Sequence, residues 1–245
     1  YVAYGNRDFG TVKGFTLEYE MRRTNNFKID ANYTLQFADG TGSGPNTGVN
    51  LAQAGQPNLR FILPLDFDNR HQILVRMDYR YGLGPRYNGP KWGDANVLEG
   101  FGVNVTVNGI SGSPYTKRDL PFPLTANAAN EALVEGQING LRLPWQVTFD
   151  MRINKIFPIG KASSNKTFEV YLQILNLFNT LNVTDVYAYT GDADDDGYLA
   201  SPEGQSRLQQ QVSTQGFIDM YNRRMINPFN YGLPRRIRLG LAYNF

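Results

Sequence analysis

Cysteine is absent from the 245-residue chain, and histidine occurs once. The first absence removes disulfides and thiolate chemistry. The second removes metal sites built from several imidazoles. No apolar run approaches the ~18 residues of a membrane helix, although 41% of the residues are hydrophobic. If the chain meets a bilayer it must do so as strands, because only helices and closed barrels satisfy their backbone in lipid. An excess of one charge is missing too. The 24 basic and 22 acidic residues leave a net +2, which gives no footprint for nucleic acid. The chain opens at Tyr1 with neither Met nor a basic, apolar leader, so it is expected to be a mature form or a piece of something longer.

What is abundant is aromatic: fifteen Tyr and fifteen Phe, with aromatics at 13% overall. Many fall in stretches that are apolar at every second position. Phe15, Leu17, Tyr19 and Met21 oppose Thr16, Glu18, Glu20 and Arg22. After the turn 24–26, Phe27, Ile29, Ala31, Tyr33, Leu35 and Phe37 oppose Lys28, Asp30, Asn32, Thr34 and Gln36. The period of two predicts a hairpin. Further strands are predicted over 71–82, 101–108 (running on irregularly through 109–115), 145–154, 168–174 and 234–245. In the last, Ile237, Leu239, Leu241, Tyr243 and the terminal Phe245 share one face. A short helix is predicted near 126–135.

These seven strands approach the 9–11 residues that a tilted strand needs to cross a bilayer, against about 5–6 in soluble sheets. Their connections alternate in length. Those at 39–69, 117–144 and 180–233 are long and fall on one side. Those at 24–26, 82–100 and 161–166 are shorter and fall on the other. The expected fold is therefore all-β: antiparallel strands of a transmembrane barrel, with lipid on the apolar face and Arg76, Asp78, Arg80, Asp150, Arg152, Arg236 and Arg238 inside. The competing expectation is a soluble antiparallel sheet with a solvated polar face. Seven strands leave two edges, which lipid does not tolerate. Either an eighth strand from residues 1–10 or 183–190 closes a small barrel, or the set belongs to a larger one.

Four stretches carry a resemblance. They are P-L-D-F-D-N-R-H over Pro64 to His71, I-S-G-S-P-Y over Ile110 to Tyr115, N-L-F-N over Asn176 to Asn179, and Pro234-Arg235-Arg236 before a last strand ending in Phe. In this order, with alternating strands between them, the chain resembles the C-terminal barrel segment of a TonB-dependent outer-membrane receptor over essentially its whole length. The resemblance implies about the final third of a 22-stranded barrel of a Gram-negative bacterium. A plug and a contact to the TonB complex would lie in a missing N-terminal region, and the work would be uptake of an unidentified substrate. A barrel serving as a scaffold for a surface lipoprotein or an assembly is the alternative. Catalysis is not expected.

Asp192, Asp194 and Asp196, then Gly197, Tyr198 and Glu203, fit the twelve-residue calcium-loop spacing. Three alternate carboxylates, the Tyr198 carbonyl and a closing Glu203 predict a Ca²⁺ site in an extracellular loop. An acidic solvated turn is the plainer reading. The approach over 183–190 reads as strand and only 206–223 as helix, unlike a helix–loop–helix site. His71, at a strand start, reads as an interfacial residue rather than a catalytic base. The pairs Arg223-Arg224 and Arg235-Arg236 read as rim charges or as contacts for an anionic substrate or lipopolysaccharide. Tyr87, Trp92, Tyr115, Tyr187 and Tyr189 are loop aromatics that could hold a ligand, and nothing in the sequence ranks them.

Overall fold

The computed structural model describes residues 9–44, 61–121, 133–159 and 166–245. Seven long strands form one antiparallel sheet: β1 (Gly10–Thr24), β2 (Phe27–Gly40), β3 (His71–Arg80), β4 (Phe101–Ile110), β5 (Gln146–Pro158), β6 (Thr167–Leu175) and β7 (Arg236–Asn244). They pair in sequence order, so the sheet is a plain meander with β1 and β7 at its edges. Asn25 and Asn26 both sit at positive φ (47° and 76°), the conformation of a tight hairpin turn whose twist matches the strands it joins. The all-β, antiparallel expectation holds, and each of the seven strands appears where alternation placed it. Among the described residues neither sheet edge has a further long-strand partner.

The register puts the two patterns on opposite faces. Leu17, Tyr33, Ile73, Gly109 and Val147 form one cross-strand row, and Glu20, Asp30, Arg76, Thr106 and Asp150 form another. Among the described residues neither face is covered along most of its length. Within the seven strands Ala38 and Asn154 are the side chains buried, whereas Leu17, Leu239 and Leu241 are each more than half exposed. No helix among the described residues is long and apolar enough to cross a membrane.

Aromatic rings collect at both ends of the apolar face. At the loop end Phe15, Tyr33, His71 and Trp145 run edge to face and then stacked across the sheet, with centroids 5.7–6.1 Å apart. At the turn end Phe157, Phe168 and Tyr243 share one row. β5 has 13 residues, which at ~3.4 Å each covers about 44 Å. At a tilt near 40° that is about 34 Å of depth, enough for a hydrocarbon layer.

Two expectations change. Residues 183–190 are not a strand: Val183 makes one isolated bridge, to Tyr231. The helical part of the last long loop is two helices, α1 (Pro202–Gln209) and α2 (Thr214–Met225), capped by Ser201 and Ser213, whose side chains accept from the N–H of Gly204 and Gly216. A serine that caps a second helix ends any single helix over 206–223. The helix expected near 126–135 lies mostly outside the described residues, and Val134 at its end bridges to Arg118.

Candidate functional site

The motifs that carry the resemblance are tie points where the long connections leave the sheet. Asp68 is 1% exposed. Its carboxylate accepts from the Ala38 N–H at 2.9 Å and pairs with the Arg142 guanidinium, which also reaches the Asp68 carbonyl. Ser113 donates to the Asn69 side chain at 2.9 Å, and the Ser111 hydroxyl accepts from the His71 N–H. Gly112 lies between them because the Leu143 carbonyl oxygen sits 1.7 Å from where a Cβ would be. Asn139, at φ 57°, donates to the Pro64 carbonyl and to Asp66. Two connections remote in sequence are thereby bound to each other.

The Asn176–Asn179 stretch does the same for the last strand. Asn176 and Asn179 both take positive φ (54° and 53°), which Asn tolerates better than most residues. Asn176 donates to the carbonyls of Thr180 and Leu233, and its N–H donates to Asp150 at 2.8 Å. Asn179 accepts from the Arg235 N–H. Asn182 brackets the backbone of Val147, accepting from its N–H and donating to its carbonyl. The sequence places Asp150 on the polar face and Asp68 inside a motif, but it does not show the bond of Asp150 to Asn176, the pairing of Asp68 with Arg142, or the part played by Asn182.

His71 belongs to this end. Its ring hydrogen-bonds the Tyr33 hydroxyl at 2.8 Å and lies between Tyr33 and Trp145.

The acidic loop folds onto tyrosines that lie far along the chain. Asp192 accepts from the Asp194 N–H, Asp195 from that of Gly197, and Asp196 from that of Tyr198. Gly197 sits at φ 76°. The buried Asp196 also accepts from the Tyr221 hydroxyl at 2.6 Å, and Asp194 from that of Tyr231 at 2.5 Å. That bond, with some desolvation and the charges of Asp194 and Asp192, pushes the Tyr231 phenol up to about 12. Burial first, then Asp196 and Asp194, raises Tyr187 as well, whose hydroxyl donates to the Met225 carbonyl. Tyr198 stacks on Tyr221, and Tyr221 on Phe217. Glu203 stands exposed in the first turn of α1.

Tyr115 and Tyr189 press on Gly191 and Gly197 of this loop, so three of the five loop aromatics come together there. Tyr87 and Trp92 lie at the opposite end of the sheet. Among the described residues no group of three or more His, Cys, Asp or Glu side chains is positioned together to hold a metal. In this conformation the carboxylates are shared out among phenols and backbone N–H groups.

Below the loops, on the polar face, a cleft of about 280 Å³ opens among Asn108, Thr148, Asp150, Asn182, Thr184 and Arg236. Its wall mixes these amides, hydroxyls, one carboxylate and one guanidinium with the apolar side chains of Ile110, Leu175, Leu233 and Pro234. Further along this face the Tyr171 ring occupies the space where a Cβ on Gly240 would lie, and Arg152 covers that ring at 4.0 Å while pairing with Glu169 at 2.9 Å. Of the arginine pairs, Arg235 and Arg236 stand at the start of β7, with Arg236 in the cleft wall. Arg223 and Arg224 end α2.

No family profile matches the chain, and no solved structure does. Among curated proteins the chain is similar to a TonB-dependent transporter, Oar, of Myxococcus xanthus. It is 27% identical over 194 residues, covering 74% of this chain but 16% of that protein.

Proposed function

We propose that the chain is a stretch of barrel wall, with its outer loops, from a TonB-dependent transporter of the Gram-negative outer membrane. The plug and the TonB contact would lie elsewhere in the protein. The observation that carries this is the bare apolar face on strands long enough to span a bilayer, set between two bands of aromatic rings. A soluble protein rarely leaves so large an apolar surface open. The similarity to Oar supports the same reading. The cleft on the polar face would contribute hydrogen-bonding groups to the path of a polar substrate. A barrel acting as a scaffold would present the same wall, and it differs by needing no TonB.

The test is topology. Cysteines at Gln209 and Asn25 fall at opposite ends of the sheet. On intact cells an impermeant thiol reagent should label the first and spare the second. The reverse pattern would invert the orientation. Equal labelling in a preparation soluble without detergent would remove the membrane.

We also propose that the acidic loop takes Ca²⁺ through Asp192, Asp194, Asp196, the Tyr198 carbonyl and Glu203. Support comes from the spacing, from the bend at Gly197 and from the capped helix that carries Glu203. Hard oxygen donors suit this ion. The phenols of Tyr221 and Tyr231 would have to yield carboxylate oxygens to it, so affinity should be weak, about 10⁻⁴–10⁻³ M. Calorimetry on calcium-stripped protein should show heat at millimolar calcium, and Asp194→Ala should abolish it. No heat, or heat unchanged by Asp194→Ala, rejects the site.

A further inference from the structure

The connection between β3 and β4 leans onto the apolar side of the sheet. Tyr79 and Tyr81 both project from that face, in line with Val103 and Phe101, and their rings meet at 5.3 Å. The Tyr87 ring packs on Tyr81 at 5.8 Å, while its hydroxyl donates to the Pro90 carbonyl and accepts from the Leu98 N–H. One tyrosine thus pins both arms of the connection against the apolar rim. A second tie comes from Lys155, which by register stands on the apolar face between Phe101 and Val170. Its ammonium reaches out of that face to the Val97 carbonyl at 2.8 Å, as a lysine does at the border of a hydrocarbon layer.

At the tip of this connection Lys91–Trp92 pairs with Ala95–Asn96 in a small hairpin turned at Gly93 (φ 60°). Trp92 is 84% exposed and Val97 50%. A bare indole beside a lysine, on a segment tied to an apolar rim, has the chemistry of the bilayer interface. There a ring with one polar N–H sits at headgroup level and a cation meets phosphate. We propose that this hairpin is a foot that rests in the phospholipid headgroup layer on the short-turn side, with Trp92 as its anchor. Its sides, Tyr81, Tyr87 and Lys155, continue the apolar face, which is why lipid and not an aqueous partner is the occupant. The proposal rests on the membrane reading above.

Trp92 and Trp145 mark opposite ends of the sheet, which allows the two ideas to be separated. The protein, its Trp92→Phe variant and its Trp145→Phe variant are reconstituted in phosphatidylcholine–phosphatidylglycerol vesicles with bromine near the glycerol end of the acyl chains. Difference spectra isolate each indole. The expected result is blue-shifted emission from Trp92 and loss of its intensity in brominated vesicles, with little quenching by iodide. A Trp92 that iodide quenches and bromolipid does not overturns the foot. If Trp145 is still quenched by bromolipid, the membrane reading stands without it. If neither responds to bromolipid, both fall. Should Trp92→Phe reconstitute poorly, a nitroxide on Lys91→Cys reports the same depth through its collisions with oxygen and with a water-soluble nickel complex.

Discussion

The sheet and the loops of this chain exchange the roles they have in a soluble protein. Seven long strands bury almost nothing of their own, while the connections contain the packed interior: Leu65, Leu143, Ala193, Tyr198, Leu208 and Met225, with Asp68, Asn139, Asn176, Asn182, Asp196 and Asn230 buried among them. A sheet without a core depends on what surrounds it, which in lipid is hydrocarbon on one side and a polar lumen on the other. Loops facing water must supply their own burial. They do so with a small apolar centre and many satisfied amides, since an unsatisfied buried polar group costs more than a bond returns. The ties at the turn end are of another kind, more exposed, such as the pairs Arg23–Asp78 and Lys28–Asp30. Pairs of that sort contribute little.

The largest test of this division is Asp68→Ala. It removes the carboxylate that pairs with Arg142 and accepts from the Ala38 N–H, leaving Arg142 its bond to the backbone carbonyl of residue 68. Removing one partner of a buried pair costs about 3–5 kcal/mol. Hydrogen exchange should rise steeply at the loop-end amides of 61–69 and 139–145 and stay slow in mid-strand. Equal acceleration in the strands would mean that sheet and loops unfold as one body.

Next comes a matched pair of deletions. Leu143→Ala removes a buried side chain and should cost about 2–5 kcal/mol. Leu239→Ala, 75% exposed on the apolar face, should cost well under half of that by chemical denaturation in detergent. A larger loss at Leu239 would show that the apolar face has a protein partner in place of lipid.

The smallest effect is one of pH. The Tyr231 phenol is raised from 10.0 to about 12 by its bond to Asp194. A raised pKa means that the bond's contribution is complete below pH 10 and fades as pH climbs towards 12. Absorbance at 295 nm should show Tyr231 titrating late, with the acidic loop loosening over that interval. Tyr231→Phe should remove that late component and the loosening that accompanies it, while Tyr187 keeps its own raised titration. A phenol titrating at its ordinary value would dissolve the Asp194 contact.

The strands were legible because a period of two is local: each residue's face follows from its neighbours, as in Lys28 to Phe37. The loops were not, because their structure is set by partners distant in the chain. Nothing near Asp194 announces Tyr231, and nothing near Asp68 announces Arg142. Serine caps are visible in principle, yet an expectation of helix over 206–223 passes over Ser213, which caps the second helix. The motifs fell in between. Their residues could be recognised, but only the register shows that Gly112 is a space for the Leu143 carbonyl.

The meander also has an arithmetic. Successive strands reverse direction, so the first and the seventh point the same way. The free edges of β1 and β7 therefore cannot zip onto each other as antiparallel neighbours. Any all-antiparallel barrel that includes this sheet must add an odd number of strands to it. One would make a barrel of eight, and fifteen would make the 22 of outer-membrane transporters. A completing piece with an even number would have to leave a parallel seam.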